Sequence, residues 1–311
     1  MAAERVSILY NPSAGMGRAL DRKIKLERLL KHFGIRYDLI MTQSEDHLRR
    51  LTRERAAGSA AIVGAGGDST FHIMIDEIVR TGAKTTFGMI GVGSSNDIPL
   101  EFGLHSLWDA CLALRDRRTR RVDLGRIAEN GEAIGHFLGQ ANVGLGAYVN
   151  TYVAGVAERK HGLARKQTLA GLLGILKAYR TGALPWKFTV ASEGGRREGE
   201  FSAAVFSNIR FWATGKMINP GALPDDGALD ACFIGRASFL RLARINAQAR
   251  KGRHGRSAEV SFERAPAFTI SSEDAFVVQS DGEIVRAADG RTTFREVRID
   301  VEPRALEIIV P

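Results

Sequence analysis

The chain has 311 residues, enough for two domains of ordinary size. Its 44% hydrophobic and 25% charged residues exclude a disordered chain, and its two cysteines, Cys111 and Cys232, far apart in apolar segments, exclude a disulfide framework and a cysteine-based zinc site. A formal charge of +9 favours anionic partners without choosing among nucleotide, nucleic acid and membrane surface, and 34 glycines exceed the average of about 7% of residues.

Met-Ala-Ala-Glu-Arg runs straight into an apolar strand at 5–10, without the apolar region of a secretory signal. No stretch reaches about 18 apolar residues, so a soluble or peripheral cytoplasmic protein is expected. After that strand, Asn11-Pro12-Ser13-Ala14-Gly15-Met16-Gly17 signals a turn, and Ile24, Leu26, Leu29, Leu30 and Phe33 follow with helical spacing. A second strand at 37–41 leads to Thr42 and Ser44, with Glu45 and Asp46 opening a second helix. A third at 60–63 leads through Gly64-Ala65-Gly66-Gly67-Asp68-Ser69-Thr70 into a helix over about 71–80. A fourth at 86–90 leads into Gly91-Val92-Gly93-Ser94-Ser95-Asn96-Asp97. Alternation of this kind predicts an open parallel sheet that binds ligands beyond the carboxyl ends of its strands. From about 121 the pattern turns to β-like runs at 121–127, 136–144, 186–191, 201–207, 229–234, 258–262, 267–271 and 275–278, with a helical stretch from about 154 to 181. The expected fold is therefore α/β plus β-rich. An α/β domain spans 1–123 with about 300–311, and a β-sandwich-like domain spans 124–299.

The Gly66-Gly67-Asp68-Ser69-Thr70 loop follows a strand and opens a helix, where successive backbone N–H groups cradle phosphate. A carboxylate beside phosphate repels it unless a cation intervenes, so Asp68 points to a Mg²⁺ nucleotide rather than bare phosphate. Taken singly, a Gly-Gly-Asp turn does no more than reverse the chain. Three such loops at the ends of neighbouring parallel strands converge on one crevice.

The motifs Asn11-Pro-x-Ala-Gly, Gly-Gly-Asp68-x-Thr70, Gly93-Ser-Ser-Asn96-Asp97, Asp225-Asp226-Gly227-Ala228-Leu229-Asp230 and Asp281-Gly282-Glu283 occur in one order. In that order they resemble the diacylglycerol kinase catalytic-domain superfamily, which holds bacterial lipid kinases, diacylglycerol kinases, and sphingosine and ceramide kinases. The resemblance implies two domains, with ATP in the cleft and a lipid hydroxyl receiving the γ-phosphate. Carried over by position, Asn11, Thr42, Gly66, Gly67, Asp68, Ser69, Thr70, Ser94, Asn96 and Asp97 would contact the nucleotide, and Asp97 and Asp123 would complete an acidic, metal-holding surface with Asp68. Glu283 would be the base that takes the hydroxyl proton, with Asp281 as partner or alternative and Asp68 the third catalytic carboxylate. The Asp226 carboxylate and the carbonyls of Leu223 and Ala228 would bind a structural Mg²⁺. By their own chemistry, Asp281-Gly282 and Asp226-Gly227 read equally as ordinary turns.

Two departures stand out. Ser69 replaces the glycine in fourth place of the usual Gly-Gly-Asp-Gly-Thr, which would distort the anion nest if glycine dihedrals are needed there. His72-Ile73 replaces an Asn-Glu pair, and His72 reads as a helix residue without chemistry. Residues 236–256 carry seven Arg or Lys and no acid, with Arg241, Arg244, Gln248 and Lys251 beside Phe239, Leu240, Leu242 and Ile245. Residues 158–180 repeat the pattern with Arg159, Lys160, Arg165, Lys166, Lys177 and Arg180. Basic amphipathic helices suit anionic lipid, hence peripheral association with the inner face of the membrane. A merely solvated helix face stays open. No aromatic platform accompanies the charge, so nucleic acid is not an expected partner. An ATP-dependent lipid kinase using Mg²⁺ is the leading reading. An NAD-kinase-like enzyme and a catalytically silent lipid- or nucleotide-binding homologue are the rivals.

Overall fold

The computed structural model describes residues 5–17, 19–149, 173–174, 176–178, 180 and 185–311. The chain forms two compact units. One comprises Met1–Leu124, Ala213–Gly215 and Pro303–Pro311, and the other Gly125–Trp212 and Lys216–Glu302.

In the first unit, β1 (Val6–Tyr10), β2 (Tyr37–Met41), β3 (Ala61–Gly66) and β4 (Thr86–Gly91) pair in parallel, in the order β2-β1-β3-β4. Ile8 stands between Leu39 and Val63. Ile308 pairs in parallel with Phe87, so the end of the chain adds a strand beside β4. All five residues of β1 are buried, as expected where helices cover both faces of a parallel sheet. The helices are α1 (Ala19–His32), α2 (Glu45–Ala56), α3 (Asp68–Thr81), α4 (Asp97–Glu101) and α5 (Leu107–Asp116). α2 packs against α3, where Arg49 and Arg53 hold the buried Glu77 at 3.0 and 2.9 Å.

The helix starts differ in a way that matters for the site. Ser44 opens α2 and Ser106 opens α5, each accepting a bond from the amide three residues on. The residues preceding α3 and α4, Gly67 and Asn96, make no such bond with a side chain of their own.

The second unit is built from β5 (Arg118–Glu129, from residue 125 on), β6 (Glu132–Phe137), β7 (Gln140–Gly144), β8 (Trp186–Ser192), β9 (Gly195–Ser207), β10 (Phe211–Trp212), β11 (Lys216–Met217), β12 (Leu229–Gly235), α6 (Phe239–Ala249), β13 (Val260–Ala265), β14 (Ala267–Ser280), β15 (Glu283–Ile284) and the first part of β16 (Thr293–Val310). The described strands pair antiparallel in the order β13-β12-β9-β7-β14-β16, with β8 beside both β9 and β14. Phenylalanines fill the core: Phe206 lies 5.1 Å from Phe268, and Phe188 5.3 Å from Phe276. Cutting such a buried ring back to alanine costs about 3–5 kcal/mol. α6 covers a second cluster, placing Leu242 and Ile245 against Cys232, Ile234 and Val260.

Runs expected as separate strands at 267–271 and 275–278 form one strand, β14, whose pairing with β16 shifts register between Ser271 and Phe276. The basic stretch at 158–180 lies outside the described residues apart from 173–174, 176–178 and 180.

Candidate functional site

In the first unit, three strand ends bring their loops into contact. Val92 and Gly93 both donate backbone hydrogen bonds to Gly66 O, and the Asn11 amide donates to Ala65 O. Asn11 Nδ2 reaches Thr70 Oγ1 at 3.0 Å, tying the loop after β1 to the first turn of α3. The backbone approach is closest between Gly67 and Gly93, where a Cβ on Gly93 would lie 2.5 Å from Gly67 Cα. Only glycine fits there without moving the loop. Arg22, on the first turns of α1, donates to Gly93 O at 3.1 Å. This contact had no sequence signal beyond a basic residue soon after a glycine turn.

The uncapped start of α3 stands at the centre of these loops. Its first amides carry the positive end of the helix dipole, a ready seat for an anion. Ser69 lies inside α3, because the helix starts at Asp68 rather than near 71, and its φ is not positive. The expected distortion of the nest is therefore corrected, since a helical position accepts serine without strain. His72 is buried on the same helix.

Asp68 is turned toward the neighbouring loop. Its Oδ2 and Oδ1 accept from the amides of Asp97 and Ile98 at 3.1 and 3.0 Å, so this carboxylate occupies the N-terminus of α4. Asp97 does similar work, accepting from Gly215 N at 2.6 Å, Thr214 N at 3.0 Å and Ser95 Oγ at 2.6 Å. Asn96 folds back across its own loop, accepting from Gly93 N and donating to Gly93 O, while Ser94 is exposed.

Two of the expected site residues have partners within the protein. Thr42 is buried, and its hydroxyl donates to Tyr10 O at 3.3 Å, which turns it into the sheet. Asp123 is 1% exposed and accepts the Arg304 amide at 2.7 Å, serving the return of the chain. No group of three or more His, Cys, Asp or Glu side chains able to hold a metal occurs among the described residues, and Asp68, Asp97 and Asp123 each accept backbone N–H groups in this structure. Buried backbone N–H groups are thereby satisfied.

In the second unit, Asp281 and Gly282 have φ of 45° and 99° and form the two-residue turn between β14 and β15, with Ser280 opposite Glu283. The Asp281 carboxylate is buried and accepts three backbone amides, from Leu138 at 3.0 Å, Gly139 at 3.2 Å and Gln140 at 2.7 Å. Glu283, two residues on, is half-buried, and its carboxylate has no hydrogen-bond or ion-pair partner among the described residues. The turn thus separates two carboxylates by role: one clamped by the backbone, the other held in place with its oxygens uncommitted.

The 223–230 turn does not fit the divalent cation expected of it. Asp226 Oδ1 accepts the Ala228 amide at 3.2 Å, and Oδ2 is ion-paired with the Arg264 guanidinium. A positive side chain already neutralises the carboxylate that was to hold the metal. The Leu223 side chain is exposed beside it.

Comparison with known proteins gives the following. A family profile described as diacylglycerol kinase catalytic domain matches residues 5–127, and one described as YegS C-terminal NAD kinase beta sandwich-like domain matches residues 139–310. A Pseudomonas aeruginosa protein named probable lipid kinase YegS-like is 27% identical over 278 residues, covering 87% of this chain and 83% of its own. A Mycobacterium tuberculosis protein named diacylglycerol kinase is 27% identical over 311 residues, covering 99% and 95%. Among solved structures, a Bacillus anthracis protein described as a diacylglycerol kinase superposes with a TM-score of 0.71 at 17% identity, covering 100% of this chain and 98% of that one.

Proposed function

Because the chain belongs to the diacylglycerol kinase catalytic-domain superfamily and is a phosphotransferase with an alcohol acceptor, we propose that it transfers the γ-phosphate of ATP to the hydroxyl of a lipid alcohol such as diacylglycerol. The observation that carries this reading is the convergence of the three loops on the uncapped start of α3. Phosphoryl transfer asks the protein mainly for positioning and charge neutralisation. The amides at Gly67 to Thr70 bind the phosphates, and Asn11 sets the Thr70 hydroxyl beside them. Asp68 and Asp97 act as positioning residues that hold α4 and its loop, and Mg²⁺ arrives with the nucleotide as part of the substrate.

Glu283 is the base that accepts the proton of the lipid hydroxyl, and Asp281 positions it through its three amide bonds. The Asp281 oxygens are taken up by backbone donors while those of Glu283 are uncommitted, so Glu283 is the one placed to meet a hydroxyl.

No helix among the described residues is long and apolar enough to cross a membrane. Access to a bilayer substrate falls to α6, where Leu240 is 78% exposed beside the exposed Arg241 and Arg244, while Leu242 and Ile245 face the core. This geometry supports peripheral docking on the anionic inner face of the membrane.

Incubation of the full chain with Mg²⁺, labelled ATP and micelles of diacylglycerol, phosphatidylglycerol, a sphingoid base or an isoprenoid alcohol yields a labelled phospholipid from one of them. The NAD kinase likeness of the C-terminal profile makes NAD the necessary control. Label in NAD with none in lipid, or tight vesicle binding with no ATP turnover, overturns the proposal.

A further inference from the structure

The turn at 223–230 holds a fixed cation of its own. Asp230, the second residue of β12, stands opposite Arg264 of β13 in the antiparallel pairing, within reach of the charge of the guanidinium. From there Arg264 reaches over to Asp226 Oδ2, while Asp226 Oδ1 is bonded to the Ala228 amide two residues on. Gly227, with φ of 74°, bends the chain so that the Asp226 carboxylate faces back toward the strand pair. Asp226 is largely covered, its side chain 16% exposed, whereas that of Arg264 is 48% exposed. The charged head therefore enters from solvent along its aliphatic stem.

A divalent ion bound to Asp226 would need the oxygen that Arg264 now holds, and would sit against a guanidinium that cannot lose its charge. The two cations compete for one position, and the arginine has the advantage of being tethered one strand away. We infer that Arg264 takes the place of a structural metal in this chain, closing the 223–230 turn through its ion pair with Asp226, and that the turn binds no divalent cation. The inference stands apart from the nucleotide and the base, since none of these residues belongs to either.

Thermal unfolding of the full chain without nucleotide tests it, comparing the natural protein with Arg264→Ala, Arg264→Lys and Arg264→Ala combined with Asp226→Asn. The natural protein melts at the same temperature in EDTA as in millimolar Mg²⁺ or Ca²⁺. Arg264→Ala melts lower in EDTA and is raised by Ca²⁺ or Mg²⁺, a rise absent when Asp226→Asn is added. Arg264→Lys, which keeps the charge, stays indifferent to both. The inference is overturned if EDTA lowers the melting temperature of the natural protein and Mg²⁺ restores it. It is equally overturned if Arg264→Ala melts lower and gains nothing from either ion, because the position would then be an ion pair and not a cation seat. Should Arg264→Ala not fold, the EDTA comparison on the natural protein and on Arg264→Lys decides alone.

Discussion

The Asp281 carboxylate fills the space that a side chain at Gly139 would need: a Cβ there would stand 2.4 Å from Asp281 Oδ1. Gly139 also donates its amide to the same carboxylate. The glycine and the aspartate are thus one fitting, and the turn carrying Glu283 is set by it.

Gly139→Ala therefore displaces Asp281, lowers the melting temperature and lowers kcat together. Asp281→Asn has a similar outcome, because an amide nitrogen would face backbone donors and leave buried N–H groups unmatched, at about 1–3 kcal/mol. Equilibrium unfolding beside kcat on the same preparations checks the coupling. Full activity in a destabilised Gly139→Ala protein would detach the turn from catalysis.

Gly93→Ala pushes the loop after β4 off Gly67, and displacement of a substrate-positioning loop by about 1 Å costs about 100-fold. The loss is expected in ATP binding, measured by calorimetry or as KM for ATP, with the KM for lipid little changed. Ser69→Gly, by contrast, leaves nucleotide affinity unchanged or lower, since position 69 is helical and glycine weakens helices by about 1 kcal/mol.

His254 is fully buried, with Nε2 donating to Ile218 O at 2.9 Å. Burial holds its pKa below the ordinary histidine value, the bond to Ile218 opposing only in part. Between about pH 6.5 and that depressed value the unfolded chain binds the proton and the folded chain does not, so stability is lost as the pH falls through this window. Melting temperatures from pH 7.5 to 5 show this slope, and His254→Gln flattens it. Parallel profiles for the two proteins would refute the assignment.

Removing one basic residue from an anionic docking face costs about 1 kcal/mol, a loss of about fivefold in partitioning. Arg244→Ala should show that loss on phosphatidylglycerol vesicles, and Leu240→Glu a larger one, with neither change felt on neutral vesicles at equal folding stability. Unaltered sedimentation of both variants would leave α6 an ordinary solvated helix.

The strand and loop order of the first unit was legible because buried parallel strands read as unbroken apolar runs ending in glycine, as at 60–67 and 86–93. The start of α3 was not, because glycine and aspartate signal a turn as strongly as a helix N-terminus, and the three residues moved into the helix changed the meaning of Ser69. Directions of side chains were hidden as well. Nothing in the sequence separates an aspartate that meets a ligand from one, such as Asp123, that accepts a backbone amide from a distant segment. Arg264 shows the same limit, since its relation to Asp226 exists only through the pairing of β12 with β13. Residues 213–215, which join the first unit from within the second half of the chain, carry no pattern of their own.

The central claim is that this chain phosphorylates a lipid alcohol with Glu283 as base, and the most direct test is label transfer from ATP to lipid by the natural protein and by Glu283→Gln. The account predicts a labelled phospholipid from the natural protein, and a rate lower by about 100- to 10,000-fold in Glu283→Gln, with melting temperature and ATP affinity unchanged. A Glu283→Gln protein that transfers label at the natural rate, or a natural protein that labels no lipid, would contradict it.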